Sequence, residues 1–232
     1  PLQAKTRALL QLWPITLMTR APLLRGGLMQ IKLRHSWPQK PQQKSLKAKI
    51  SKGDLKMDTI ETLALQTINA ENPREIRNLL GQFATGVTVI TTRGKDGRKI
   101  GMTANSFSSL SLDPPLILWS LSKTAPSLPD FVEAEYFAIH MLAQEHHQLS
   151  GHFARGAEDK FAGIAHQQCN AGVPILTDAL ATLVCRNVNQ YEGGDHLIFI
   201  GQIEQYQQRQ GEPLVFHAGK YRIAAEHPEL AH

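Results

Sequence analysis

The sequence of 232 residues has few cysteines, few aromatic residues and no long apolar run. Its two cysteines, Cys169 and Cys185, stand sixteen residues apart, which matches neither a C-x-x-C redox pair nor a zinc-binding pattern. We therefore expect two free, partly buried thiols in a protein of the reducing cytoplasm. No apolar stretch approaches the roughly 18–20 residues of a membrane-spanning helix, so we expect no membrane partner.

Several motifs that define common enzyme classes are also missing. No G-x-G-x-x-G follows a predicted strand and there is no Walker A loop, so a nucleotide would not be held as in Rossmann or P-loop proteins. A serine hydrolase lacks support because no G-x-S-x-G elbow occurs. His146, His147 and His152 lie close in sequence, but the neighbours His146 and His147 point to different sides of a helix, so we expect no metal site.

Acidic residues are scarce only in the first quarter of the chain. Residues 1–56 contain twelve Lys or Arg and one acid, Asp54, whereas residues 57–232 contain thirteen Lys or Arg and nineteen Asp or Glu. The net charge of +5 therefore combines +11 in the first segment with −6 in the rest. Because the basic character belongs to residues 1–56 alone, it does not predict nucleic-acid binding by the folded part.

Residues 1–56 allow three interpretations. The segment is basic like an organellar targeting peptide, but it is poor in serine and prolines interrupt its helical periodicity. It could be a basic arm that binds nucleic acid or an anionic membrane. We favour a disordered leader, or translated upstream sequence that is not part of the native protein, with the domain itself covering residues 57–232.

Helix signals are few from Met57 onward. One helix is predicted to begin with Asn72 as N-cap and Pro73 at the first position, and to end at Gly86. Its apolar residues recur at helical spacing, at Ile76, Leu79, Leu80 and Phe83. A polar helix is predicted at 144–155, and a short one near 127–130.

Strand signals dominate the same region. The predicted strands are residues 87–92, 100–107, 116–121, 136–142, 183–191, 197–205, 214–216 and 221–223. Short spacing without β-α-β alternation indicates a mainly β protein with peripheral helices, and it favours a closed antiparallel barrel over a Rossmann sheet.

The segment Gly101–Ser127 is rich in short hydroxyl side chains. Hydroxyls and one cation, Lys123, follow the predicted strand 116–121, where they could converge on a phosphate with help from the next helix. The stretch 103–106 is small enough for a flat ring to approach the backbone, and Asn105 could bind ring edges. The alternative is that these hydroxyls satisfy local backbone groups.

Two turns carry further candidate ligand contacts. His196 follows a Gly-Gly-Asp turn and opens an apolar strand at the barrel rim. The sequence "FHAGKYR" groups His217, Lys220, Tyr221 and Arg222, which suits an anionic or aromatic ligand. The alternatives are a surface histidine after a hairpin and an ordinary polar turn.

Five stretches together resemble the flavin reductase-like family of FMN-binding split barrels. They are "LLGQFATGVTVITT", "GMTANSFSSLSLDPPLILWSLSKTAPS", "LSGHFARGAEDKFAGI", "GGDHLIFIGQIE" and "PLVFHAGKYR", in the family's order over residues 75–223. The residues carried over by motif for flavin are Lys99, Ile100, Gly101, Met102, Thr103, Asn105, Ser106, Ser120, Leu121, Ser122, Lys123, Ser127, His152 and Phe153. Those carried over for the nucleotide are His196, His217, Gly219, Lys220 and Tyr221.

The resemblance implies a homodimeric Greek-key split barrel that reduces FMN or FAD with NADH or NADPH. It also implies a flavin-dependent monooxygenase partner that is supplied through diffusible reduced flavin. Hydride transfer needs no protein acid or base, so His196 is expected to place the nucleotide rather than to be indispensable. Many members carry a basic residue near Pro126, whereas here only Lys123 supplies charge.

Three related functions remain as alternatives. They are a non-catalytic flavin-binding protein, an electron-transfer flavoprotein with tightly bound FMN, and a pyridoxamine-phosphate oxidase-like enzyme on a related barrel.

Overall fold

The computed structural model describes residues 65–229 of the chain. The predicted leader, residues 1–56, and the predicted domain start at Met57 lie outside the described residues. No helix within 65–229 is long and apolar enough to cross a bilayer.

Three α-helices lie on the periphery of the described region. Asn72 caps the first one as predicted, because its side-chain oxygen accepts a hydrogen bond from the Glu75 backbone N–H at 3.3 Å. The helices are α1 (Pro73–Leu80), α2 (Leu128–Glu133) and α3 (His147–Ala154), with a 3₁₀ turn at Gln144–His146 before α3.

Twelve strands occupy the rest of the described regular structure, and every pairing between them is antiparallel. They are β1 (Thr85–Gly86), β2 (Thr88–Arg93), β3 (Lys99–Ala104), β4 (Ser108–Leu112), β5 (Pro115–Ser122), β6 (Tyr136–Met141), β7 (His166–Gln168), β8 (Pro174–Leu176), β9 (Ala181–Gly193), β10 (His196–Gln208), β11 (Leu214–His217) and β12 (Lys220–Ile223).

Seven of these strands form one sheet in the order β3-β2-β6-β9-β10-β5-β4. Strands β3 and β4 are its two edges, and within residues 65–229 they do not pair with each other. The barrel is therefore split rather than closed, which corrects the closed barrel expected from strand spacing and agrees with the resemblance. Two smaller sheets, β1-β11-β12 and β7-β8, flank it.

An aromatic cluster fills the space between the two edges. The Trp119 ring stacks on Phe199 with centroids 4.5 Å apart, and Phe131 and Phe137 meet it edge-on at 5.0 and 5.6 Å. Ile90 from β2 and Ala104 from β3 join the same buried cluster as Trp119 from β5, so strands from both ends of the sheet share one core. This shared burial stabilises the barrel although β3 and β4 do not pair.

A buried histidine joins three strands on the other face of the sheet. His140 on β6 is fully buried, with Nδ1 3.0 Å from the Val89 carbonyl oxygen and Nε2 3.1 Å from the Leu176 backbone N–H. Because Nε2 accepts from that N–H, Nδ1 carries the proton and donates to Val89. Burial lowers the pKa of His140 to about 4, so the ring is neutral in the native protein.

The sequence predicted most strands but misplaced one helix end and missed several short strands. Helix α1 ends at Leu80, with Gly81 as C-cap, and not at Gly86. Its residues Leu79 and Leu80 are exposed, as is Phe83 beyond its end. The hairpin of β9 and β10 was predicted and is confirmed, whereas β1, β4, β7 and β8 were not predicted.

We expect His140 to make the native state sensitive to acid. The pKa of His140 is about 4 when folded and near 6.5 when unfolded, so only the unfolded chain gains a proton as pH falls between these values. The free energy of unfolding should fall across that window, by about 3 kcal/mol in total from this residue.

Urea unfolding of the wild type and of His140→Gln at pH 7 and pH 5 tests this expectation. The variant should be less stable at pH 7 but should lose less stability on acidification. Equal losses in the two proteins would contradict it.

Candidate functional site

A cavity of about 590 Å³ lies against the β3 edge of the sheet. This volume is in the range of roughly 300–1,000 Å³ that small-molecule sites occupy. Three segments line the cavity: residues 97–103, residues 125–127 together with Asp130, and residues 153–160. They belong to β3 and the turn before it, to the approach to α2, and to the end of α3 with the loop that follows.

The main chain of β3 forms one wall because β3 has a single neighbour in the described sheet, β2. In an antiparallel pair the backbone groups of alternate residues point away from the partner strand. Gly101 is one of these residues, since its carbonyl oxygen accepts a hydrogen bond from the Lys160 ammonium at 3.0 Å. The wall therefore offers backbone donors and acceptors to a ligand that lies along the strand.

Gly101 also sets how closely α3 approaches β3. A Cβ at this position would lie 2.6 Å from Cε1 of Phe153 and 3.2 Å from Cζ of Phe161, closer than carbon atoms pack. The absence of a side chain lets Phe153, which lines the cavity, and Phe161 pack against β3, and both rings are buried.

Lys160 fastens the loop after α3 to both neighbouring elements. Its ammonium donates to the carbonyl oxygens of Gly101 and Phe153, at 3.0 and 2.9 Å, and its own carbonyl lies 2.7 Å from Nε2 of His152. Partial burial lowers the pKa of Lys160. The predicted residue His152 thus supports the wall from behind, whereas Phe153 lines it.

Lys99 is held at the same wall by an imidazole and an aromatic ring. Its Nζ lies 3.1 Å from Nε2 of His166 and 5.7 Å from the centroid of the Phe161 ring. Nδ1 of His166 is 2.7 Å from the Ile164 carbonyl oxygen, so Nδ1 donates there and Nε2 accepts from Lys99. The ammonium of Lys99 is thereby fixed at the cavity edge.

The far end of the cavity has mixed charge. Arg98 forms ion pairs with Asp96 and, at 3.7 Å, with Asp130. Asp130 lies in the first turn of α2 and lines the cavity. The hydrogen bond from Arg98 holds the pKa of Asp96 below its usual value, and the same contact raises the pKa of Arg98. Arg155 adds an exposed cation on the opposite wall.

The hydroxyl-rich segment divides between the cavity and local contacts. Ser127 lines the cavity, but the Ser106 hydroxyl donates to the Ser120 carbonyl at 2.9 Å and accepts from its N–H at 3.1 Å. Ser122 exchanges a hydrogen bond with Thr124 at 2.9 Å, and the Lys123 ammonium pairs with Glu192. Positive charge at the cavity comes instead from Arg98, Lys99, Arg155 and Lys160, and the carboxylates of Asp130, Glu158 and Asp159 line it as well.

Two further residues predicted for flavin lie away from the cavity lining. Leu121 is buried in the aromatic core, and the Asn105 amide donates to the Thr85 hydroxyl at 3.3 Å. Of the residues predicted for flavin, those that line the cavity are Lys99, Ile100, Gly101, Met102, Thr103, Ser127 and Phe153.

The residues predicted for the nucleotide lie on two hairpins outside the cavity lining. His196 is at the β9–β10 turn, with Nδ1 2.8 Å from the Asp195 carboxylate, and this contact lowers the pKa of Asp195. His217 and Lys220 pair across the β11–β12 turn, which is closed by Ala218 and Gly219 with φ of 48° and 76°.

Tyr221 connects the second hairpin to the cavity wall. Its hydroxyl donates to the Ser150 hydroxyl on α3 at 2.8 Å, and the Ser150 carbonyl accepts from the Thr103 hydroxyl on β3 at 2.6 Å.

The sequence predictions missed most of the third wall. Residues 154–160 lie within the quoted stretch "LSGHFARGAEDKFAGI", yet only His152 and Phe153 were carried over from it. The density of charged residues at 155–160 was the available signal. Gly97, Arg98, Ala125, Pro126 and Asp130 were also missed, because their contribution depends on how the chain folds around β3. No group of three His, Cys, Asp or Glu suited to a metal occurs within residues 65–229.

An antiparallel split barrel with a ligand cavity along an unpaired edge strand defines the class of protein. The profile of the flavin reductase like domain matches residues 80–225, which covers the barrel, both hairpins and all three cavity walls. The chain belongs to this family.

Curated relatives are reductases or reductase components. The chain is 43% identical over 151 residues to the FMN reductase (NADH) SmoA of Agrobacterium fabrum, covering 65% of this chain and 86% of the relative. It is 39% identical to the reductase subunit HsaB of a flavin-dependent monooxygenase from Rhodococcus jostii, covering 66% and 78%. The match to the trigonelline monooxygenase reductase component of Acinetobacter baylyi, also 39% identical, spans 66% of this chain but 49% of that protein.

Solved structures share the fold. The Streptomyces globisporus NADH:FAD oxidoreductase SgcE6, in complex with NAD and FAD fragments, superposes with a TM-score of 0.66 at 32% identity, covering 72% of this chain and all of that one. Component B of nitrilotriacetate monooxygenase from Mycobacterium thermoresistibile gives 0.65 at 34% identity, covering 70% and 91%.

We expect Gly101→Ala to destabilise the cavity wall. The added Cβ must displace the Phe153 ring, and overpacking of this kind costs about 1–3 kcal/mol. Thermal unfolding should show a lower midpoint than for the wild type.

Gly156→Ala is the matched control, because Gly156 lines the same cavity and an added Cβ there meets nothing within 4 Å. Equal midpoints for the two variants would contradict the packing role of Gly101.

Proposed function

We propose that this protein is an NAD(P)H-dependent flavin reductase that transfers hydride from NADH or NADPH to FMN or FAD. The observation that carries the proposal is the cavity along the unpaired edge of β3. A flat heteroaromatic ring with donors and acceptors on its edge matches an edge strand, because both present hydrogen-bonding groups in one line. The names of the relatives, FMN reductase (NADH) and NADH:FAD oxidoreductase, support the same activity.

The residues at the cavity fit a flavin. Ile100, Met102 and Phe153 supply apolar contact for the ring, and the backbone of residues 99–103 supplies polar contact for its edge. Ser127 and the cations at the cavity suit the ribityl and phosphate groups. The remaining residues carried over for flavin stay part of the proposal: Asn105, Ser106, Ser120, Leu121, Ser122, Lys123 and His152.

The chemistry supplied on binding is hydride transfer between the nicotinamide and the flavin ring. The protein contributes orientation and exclusion of water, since the buried ring of Phe153 closes the cavity on one side. No side chain needs to act as nucleophile, acid or base. His196, His217, Gly219, Lys220 and Tyr221 are proposed to place the nucleotide, with Tyr221 connected to β3 through Ser150.

The partner is proposed to be a flavin-dependent monooxygenase that receives reduced flavin by diffusion. Several relatives are named as reductase components of such enzymes, from Acinetobacter baylyi and Rhodococcus jostii among others. The names of the Agrobacterium and Streptomyces proteins both specify NADH, which favours NADH over NADPH as the reductant. They differ on the flavin, so FMN and FAD both remain within the proposal.

Anaerobic stopped-flow mixing of the protein with NADH or NADPH and with free FMN or FAD tests the activity. We expect loss of flavin absorbance and a steady-state rate that depends on added free flavin. Yellow protein that neither nucleotide bleaches would indicate a non-catalytic flavin-binding protein. Bleaching without dependence on free flavin would indicate a tightly FMN-bound electron-transfer flavoprotein.

The active form is proposed to be a homodimer. The outer edge of β4 has no strand partner within residues 65–229, and this strand exposes Leu110 and, at 77%, Leu112. Leu79, Leu80 and Phe83 form a second exposed apolar group at the end of α1. An unpaired apolar edge is a surface that a second copy of the chain would cover.

Leu112→Glu should weaken association, because a charge on this edge must be desolvated when a second copy covers it. Light-scattering mass measured over a concentration series should show monomer at concentrations where the wild type is dimeric. Val132→Glu is the control, since Val132 is also exposed but belongs to α2 and not to β4. A dimer unaffected by Leu112→Glu would exclude this edge as the interface.

A further inference from the structure

Lys160 carries a charge that the protein does not neutralise. Its ammonium has three N–H donors, of which two bind the carbonyl oxygens of Gly101 and Phe153. Within residues 65–229 no carboxylate lies in ion-pair distance of this nitrogen. One donor and a full positive charge are therefore available at the cavity wall.

The other cations at the cavity are placed differently. Arg98 is paired with Asp96 and Asp130, and Lys99 is hydrogen-bonded to the imidazole of His166 at the beginning of β3. Arg155 is exposed to solvent, where a charge is strongly screened. Lys160 is half-buried and bonded to the middle of β3, so its field is the least screened along that wall.

Hydride transfer creates a charge that such a cation can stabilise. Moving one proton and two electrons from the neutral dihydronicotinamide to the neutral flavin ring leaves a positive nicotinamide and a negatively charged reduced flavin. The charge on the flavin ring appears only on reduction. A fixed cation beside the ring therefore stabilises the product more than the reactant.

We propose that Lys160 is the electrostatic partner of the reduced flavin and that its charge raises the affinity of the protein for reduced flavin relative to oxidised flavin. This inference rests on the proposed function and assigns Lys160 a role besides fastening the loop after α3. The two roles separate in variants, because hydrogen bonding to two carbonyls needs only N–H donors, whereas the added affinity for reduced flavin needs the charge.

Three substitutions distinguish charge from hydrogen bonding. Lys160→Gln keeps N–H donors but removes the charge, Lys160→Arg keeps both, and Lys160→Met removes both. The measurement is the ratio of the dissociation constants for oxidised and chemically reduced FMN, determined anaerobically by equilibrium dialysis. Thermal unfolding of each variant reports the structural role separately.

We expect Lys160→Arg to keep the wild-type ratio, and Lys160→Gln and Lys160→Met to shift it about tenfold toward oxidised FMN. Arg155→Gln, which removes an exposed cation from the same wall, should change the ratio less than threefold. A ratio that Lys160→Gln leaves unchanged would overturn the inference and reduce Lys160 to a structural contact.

The failure of this inference is distinguishable from the failure of the proposed function. A ratio that is equal in the wild type and in Lys160→Gln, with both proteins folded, would leave the reductase activity standing. Failure to bind either form of FMN or FAD at micromolar concentration would refute both proposals.

Discussion

The unpaired edge of β3 is the constraint on which the site depends. A strand inside the sheet would use its backbone N–H and C=O groups in hydrogen bonds to two neighbouring strands. In the described sheet β3 pairs with β2 alone, so the backbone groups on its outer side remain available. Such an edge is open to unwanted pairing unless something covers it. Here α3 and the loop after it cover the strand, and Gly101 lets Phe153 come close enough to seal the contact. The cavity is the part of the edge that this cover leaves free.

In this arrangement, the residues that line the cavity differ from those that stabilise the barrel. Core side chains such as Trp119 and Phe199 stabilise the barrel, but they do not line the cavity. The cavity is formed by backbone, by apolar side chains and by charged side chains from three separate segments. Because the proposed reaction needs orientation more than acid or base groups, a site built largely from main chain is sufficient for it.

The parts of the fold that sequence predicted are those with local signals. The Asn72 cap, the β9–β10 hairpin and the β11–β12 hairpin each rest on residues whose conformational preferences act within a few positions. Strand β4 was missed because its serines have little strand preference and it is largely exposed, so its pairing with β5 decides its conformation.

Sequence predicted those residues of the candidate site that are adjacent along the chain, and it missed those that only folding brings together. The β3 residues could be carried over because they are contiguous in a recognisable stretch, and residues 99–103 do line the cavity. Arg98, Asp130 and Lys160 could not be assigned from periodicity or spacing, since only the folded chain brings them to the same cavity. Likewise, nothing in the sequence showed that Ser106 binds the backbone of Ser120, or that Lys123 pairs with Glu192.

The two hydrogen bonds that connect Tyr221 to Ser150 and Ser150 to Thr103 have a consequence for biosynthesis. They join one of the last described strands to one of the first, and β1 likewise pairs with β11. Contacts between such distant segments form late, after the loop between them has closed. During translation, the ribosome must therefore release the chain through Tyr221 before the pocket can acquire its final shape.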